Sequence, residues 1–145
     1  MAVYNKFQDF VEQLCTGKHD FTAAGHVVKA FLTNELPLAT DTIKTDMVEL
    51  GAGNGYTAGG EDAQNTLAEA TGTATVTCTK IVWTASGGTI GPFRYPVAYN
   101  DTQTSPVDPL VGWWDYGSAL TLNAGETFSL KFNNSETTGT LLTVA

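Results

Sequence analysis

Glu49-Leu50-Gly51-Ala52-Gly53-Asn54-Gly55 is the one stretch of this chain whose residue types and spacing could hold a cofactor. An acidic residue followed by alternate glycines can wrap backbone amides around the amino-acid end of S-adenosylmethionine, as in the nucleotide-side loop of a methyltransferase. That chemistry needs a helix to begin directly after the loop and an acidic residue to end the next strand. Here Tyr56-Thr57-Ala58-Gly59-Gly60-Glu61-Asp62 follows, which is a poor helix start. The remaining residues lack the alternating helices of a doubly wound sheet. No Gly-Lys-Ser/Thr follows the glycines, so the loop is not a P-loop. The opposite interpretation, a turn-rich lead into an all-β body, agrees better with the rest of the chain.

Other reactive groups are sparse. His19 and His26 flank a helix–strand junction with no Ser or Cys signature nearby, which points to local hydrogen bonding rather than general-base work. Glu49, Glu61, Asp62 and Asp101 fall in loops where they could join Asn54 around calcium, but the EF-hand order is absent. Cys15 and Cys78 read as small buried hydrophobes, with their pairing left open, and there is no Cys/His cluster for zinc. The expectation is no catalytic residue, no cofactor and no metal. Trp113 and Trp114 are strand neighbours, so their rings point to opposite faces. One belongs to the core and the other to a surface that could meet a subunit or stack on a sugar. Phe7, Phe10, Trp113 and Trp114 form the candidate protein interface. Arg94 is the only arginine, between two aromatic residues on a strand, and its planar fork suits a bidentate structural ion pair with Asp115.

The elements that must position these groups follow from composition and period. The chain has 145 residues, which suggests one domain over 1–145. Charged residues are only 15% of it, against ~25% in an average globular protein. Threonine and glycine fill the gap, which is a β signature. The net charge of −8 argues against nucleic acid and anionic membranes and favours solubility at high copy number. Residues 2–16 mix Lys6, Asp9 and Glu12 into apolar positions, so they do not read as a signal peptide, and synthesis in a host cytoplasm is expected. No apolar run approaches the ~18 residues of a membrane span.

Val3, Tyr4, Phe7, Phe10, Val11 and Leu14 recur at helical steps and predict a helix over 3–16, with a capping box at Asn5 and Gln8 and a stop at Gly17. Its apolar stripe could pack on its own domain or dock on a neighbour. Val27–Thr33 reads as a central strand and Thr42–Leu50 as an ambiguous element. Thr73–Thr79 alternates cleanly, with a bulge expected near Lys80. Phe93–Tyr99 reads as a strand that Pro96 demotes to an edge or a bulged position. Asn100–Pro109 is a loop and Leu110–Tyr116 a strand. Leu120–Leu122 and Thr127–Phe132 read as a hairpin, and Gly139–Val144 as the last strand. The fold class is mainly β: an antiparallel β-sandwich or barrel, jelly-roll-like, with one short N-terminal α-helix.

Phe7-x-x-Phe10-Val11, His26-Val-Val-Lys-Ala-Phe-Leu-Thr-Asn34, Gly53-Asn-Gly-Tyr-Thr-Ala-Gly-Gly60, Arg94-Tyr95 and Gly112-Trp-Trp-Asp-Tyr-Gly117, in this order over nearly the whole chain, resemble a family of small tailed-bacteriophage virion proteins. The resemblance implies a β-sandwich that coats a capsid as a decoration (cement) protein, typically an oligomer on three-fold positions. Its implied partners are the major capsid protein and copies of itself, with a trimer favoured, on the outer surface of the virion. A tail or head-fibre component that binds host glycan through an exposed Trp is the alternative, and a small enzyme the remote one. Pro96, within the strand after Arg94-Tyr95, departs from the family pattern.

Overall fold

The structure, a computed structural model, describes residues 2–145. It is mainly β, with several antiparallel sheets arranged as a β-sandwich-like fold and one short α-helix. The strands are β1 (Val3–Lys6), β2 (Val28–Thr33), β3 (Glu61–Asp62), β4 (Thr66–Ala70), β5 (Thr73–Thr79), β6 (Ile81–Thr84), β7 (Ile90–Phe93), β8 (Tyr95–Asn100), β9 (Leu110–Asp115), β10 (Leu120–Leu122), β11 (Thr127–Leu130) and β12 (Thr138–Val144). The helix, α1, spans Asp9–Cys15. The largest sheet has the order β1-β9-β8-β2-β3. The others are β12-β5-β4, β10-β7 and β11-β6.

Buried apolar side chains from all these sheets form one continuous cluster. Aromatic contacts cross it: Trp114 meets Phe132 edge-on with centroids 5.4 Å apart, and Phe93 meets Phe128 at 5.0 Å. β8 is buried along its whole length, as a strand covered on both faces must be.

The predicted N-terminal helix is shorter than expected. Val3–Lys6 pairs antiparallel with Gly112–Asp115, and the helix begins only at Asp9. An isolated helix of this length is marginal, whereas pairing on β9 satisfies the backbone of Val3 and Tyr4, both good strand formers. The capping box is absent too: Asn5 donates to the carbonyl of Val3, and no side chain caps the helix.

Four further differences have local causes. At Lys80 the chain does not bulge but changes sheet, from β5 beside β12 to β6 beside β11. The predicted strand at 93–99 breaks at Arg94 into β7 and β8, and Pro96 lies in an interior strand opposite Leu32. Leu32 turns its N–H to the Tyr56 hydroxyl and its carbonyl to Leu50, away from Pro96. The paired register with β9 runs only from Val97, so the missing donor of Pro96 breaks no ladder bond. β10 and β11 do not pair with each other: β10 pairs with β7 and β11 with β6. The Asn123–Glu126 turn, with Gly125 N–H on the Ala85 carbonyl, sends the second arm across to the other ribbon. Thr42–Leu50 resolves into a single 3-10 turn at Lys44–Asp46, held by the Asp46 carboxylate on the N–H groups of Thr42 and Ile43.

Candidate functional site

The expected interface residues lie mostly inside. Phe7 and Phe10 are buried, Trp114 is buried, and Trp113 is half-buried with its ring 4.5 Å from that of Phe7. The two tryptophans do point to opposite faces, Trp114 onto Tyr4 and Phe132 and Trp113 onto Phe7. Because β1 and the loop before α1 close over β9, Phe7, Phe10 and Trp114 belong to the core of this chain and are not free to dock on another. Burying Phe10 contributes about 2–3 kcal/mol and anchors the helix. Arg94 and Asp115 form the expected bidentate pair: Nε donates to Oδ1 at 2.8 Å and one terminal nitrogen donates to Oδ2 at 3.0 Å. The Arg94 guanidinium, followed by the Gly117 N–H, holds the Asp115 carboxyl below its ordinary range. Both side chains are about one-third exposed, so the pair fixes geometry between β7 and β9 more than it adds stability.

The glycine stretch is a structural clasp. Gly53 and Tyr56 exchange backbone bonds across a tight turn, and strand β3 follows rather than a helix. Gly60 has φ +75°, and a Cβ there would lie 1.8 Å from the Ala30 carbonyl oxygen, so only glycine lets this segment lie on β2. Glu49 ties the loop down. Its Oε1 accepts from the Tyr56 hydroxyl at 2.8 Å and the Gly59 N–H at 2.6 Å, and its Oε2 accepts from Lys44 Nζ at 2.5 Å. The Tyr56 hydroxyl in turn accepts the buried Leu32 N–H at 3.0 Å. Tyr99 donates to the Gly59 carbonyl at 2.7 Å, and its ring together with that of Phe31 lies near the Lys44 ammonium. Burial pushes both phenols well above the ordinary tyrosine value, and the nearby acids add to it. Lys29 pairs with Asp101 at the far end.

A second polar group sits where α1 meets β2. Asn100 is fully buried, and its Nδ2 lies 3.0 Å from His19 Nδ1 and 2.9 Å from His26 Nδ1. Its Oδ1 accepts from the N–H groups of Thr102 and Gln103, so Nδ2 is the donor that faces the two ring nitrogens. Asn65 repeats the device: Oδ1 accepts from Val28, and Nδ2 donates to the carbonyls of Phe21 and His26. Burial, with the charge of His26 adding to it, pushes His19 down to about 4. Both asparagines escaped sequence reasoning, since an Asn in a strand or loop carries no local sign of burial.

Beside this junction lies an apolar groove of about 350 Å³, lined by Leu14, Phe21, Leu67, Val76, Leu142 and Val144. At another place the adjoining segments 34–38 and 47–51 carry Leu36, Leu38 and Val48 with exposures of 61%, 57% and 71%. Glu35 accepts from the Val48 N–H and Thr33 donates to the Val48 carbonyl, so this loop tip is braced. Five of the seven cationic side chains, Lys29, Lys44, Lys80, Arg94 and Lys131, are within ion-pair distance of acids of this chain. Cys15 is exposed and Cys78 buried, and they do not pair. Among the described residues, no group of three or more His, Cys, Asp or Glu is placed to hold a metal, and no helix is long and apolar enough to cross a membrane. Comparison with known protein families, with curated proteins and with solved structures finds no match.

Proposed function

We propose that this chain is a non-enzymatic binding protein, whose work is to occupy a protein surface. More particularly, it is a bacteriophage virion protein of the decoration type, which coats the outer face of a capsid and reinforces it. The observation that carries the first step is the braced loop tip Leu36-Pro37-Leu38 with Val48, exposed aliphatic residues on a backbone fixed by side-chain hydrogen bonds. Apolar side chains held out on a rigid loop cost little entropy when a partner covers them. The commitment of most cations to internal pairs supports a partner that is neither nucleic acid nor an anionic membrane. The second step rests on the ordered residue pattern that resembles small virion proteins. Its mechanism is avidity: each copy bridges neighbouring shell subunits, and many weak contacts add up. The glycan alternative is less favoured, because Trp83 and Trp114 are buried and Trp113 is half-covered by Phe7.

The test is co-sedimentation of the purified chain with empty capsids of the phage that encodes it. Saturable binding in hundreds of copies is expected, and the double variant Leu36→Asp, Val48→Asp should lose it while melting as the parent does. Binding that the double variant leaves unchanged, or no binding by the parent, would remove the proposal.

A further inference from the structure

β4 is the outermost strand of the β12-β5-β4 sheet, and all five of its residues are exposed. The direction of its backbone groups follows from its neighbour. Thr79 on β5 donates to the Ala63 carbonyl, on the side where β4 lies. Alternation along β5 then turns Thr77, Thr75 and Thr73 toward β4, where they face Thr66, Ala68 and Ala70. Leu67 and Glu69 are left to turn their N–H and C=O groups outward, as an open template.

The other edges of the two larger sheets are blunted in the usual ways. β3 has two residues, and β1 has four and ends in Lys6. β12 carries a register shift at Thr140/Leu142 and is backed by the turn at Phe132–Asn134, so closely that a Cβ on Gly139 would strike the Phe132 carbonyl. β4 has no proline, no lysine and no register shift against β5.

We propose that β4 pairs antiparallel with β4 of a second copy of this chain, about a two-fold axis through Ala68, to make one six-stranded sheet. The outward set is self-complementary. Leu67 of one copy faces Glu69 of the other, each such pair exchanges both backbone bonds, and the axis repeats the pair. Ala68 then meets Ala68 of the second copy at the closer, non-hydrogen-bonded spacing, where its methyl group fits. Charge selects this register. A shift that brings Glu69 opposite Glu69 sets like charges face to face, whereas the two-fold about Ala68 places each carboxylate beside a leucine. Glu69 is the only charge on the strand, so little like-charge repulsion along it opposes the approach of two chains of net charge −8. The inference stands on β4 alone and does not depend on the virion reading.

The experiment is sedimentation equilibrium of the full chain over micromolar to millimolar concentration, joined to cysteine cross-linking. A monomer–dimer equilibrium is expected. Glu69→Pro removes an outward N–H, and with it the carboxylate that accepts the exposed Gly72 N–H at the hairpin turn, but no backbone bond to β5; it should weaken dimerisation by about tenfold or more with an unchanged circular dichroism spectrum. In a Cys15→Ser background, Ala68→Cys should give a disulfide-linked dimer about tenfold faster than Thr71→Cys at the hairpin tip, because only the axis residue meets its own copy. A monomer at every concentration with no preference between the two cysteines, a trimer, or a dimer indifferent to Glu69→Pro that cross-links no faster through Ala68→Cys would each overturn the proposal. Should Glu69→Pro disturb folding, the cross-linking comparison decides.

Discussion

Removing a single oxygen, by Tyr56→Phe, tests whether the glycine segment is a clasp. The Tyr56 hydroxyl accepts from Leu32 N–H at 3.0 Å and donates to Glu49 at 2.8 Å, and both Tyr56 and Leu32 are buried. Without the hydroxyl, a buried backbone donor loses its partner, which costs about 1–3 kcal/mol. A bond to a carboxylate is lost as well, worth about 1.5 kcal/mol at the low end, because Glu49 keeps Gly59 N–H and Lys44. The phenylalanine recovers part of this, since no phenol has to be desolvated. The net expectation is about 3 kcal/mol, which at ~2.1 cal/mol/K per residue lowers the melting temperature of a 145-residue chain by about 10 °C. Calorimetry reads the shift, and hydrogen exchange should show the Leu32 amide losing protection. Tyr99→Phe is the matched control. It removes one donor, shared between the half-exposed Gly59 carbonyl and the exposed Asp101 carboxylate, and orphans no buried N–H, so it should cost about 1 kcal/mol. A Tyr56→Phe shift under about 2 °C, or one equal to that of Tyr99→Phe, would refute the clasp.

Three further outcomes are expected. Gly60→Ala places a methyl group on the Ala30 carbonyl at positive φ and should cost at least about 3 kcal/mol, read as a lower urea midpoint, whereas Gly72→Ala at the hairpin turn meets no atom and should cost about 1 kcal/mol. His19 sits near 4 when folded, against about 6.5 when unfolded, so the unfolded chain binds the extra proton. Stability from this group is complete above pH 6.5 and is lost as pH falls toward 4. His19→Phe should flatten that slope, and parallel losses in parent and variant would contradict it. Cys78 is buried and pushed up to about 12, chiefly by burial, while Cys15 is exposed. A thiol reagent at pH 8 should therefore label one cysteine in the native chain and both in denaturant.

The β class was legible because threonine-rich alternation at Thr73–Thr79 and the apolar run at Val27–Thr33 report local periods; β5 has the predicted bounds, and β2 starts one residue later, at Val28. β4 was missed because Thr-Leu-Ala-Glu-Ala has no alternation to report: every residue is exposed, and the strand exists only as the partner of β5. Likewise the stripe from Val3 to Leu14 fits a helix as well as a strand followed by a helix, and pairing with β9 decides between them.

The sequence by itself determined which groups could meet locally: where the chain must turn, which strands alternate, and that the single arginine would seek a carboxylate. Tertiary structure alone decided that Phe7, Phe10 and Trp114 are core, that Asn65 and Asn100 hold the histidine junction, and that Leu36 and Val48 face outward. The physical reason is range. Period and propensity act over a few residues, whereas burial and the choice between neighbouring sheets depend on groups as much as 81 positions apart, as Asn100 is from His19.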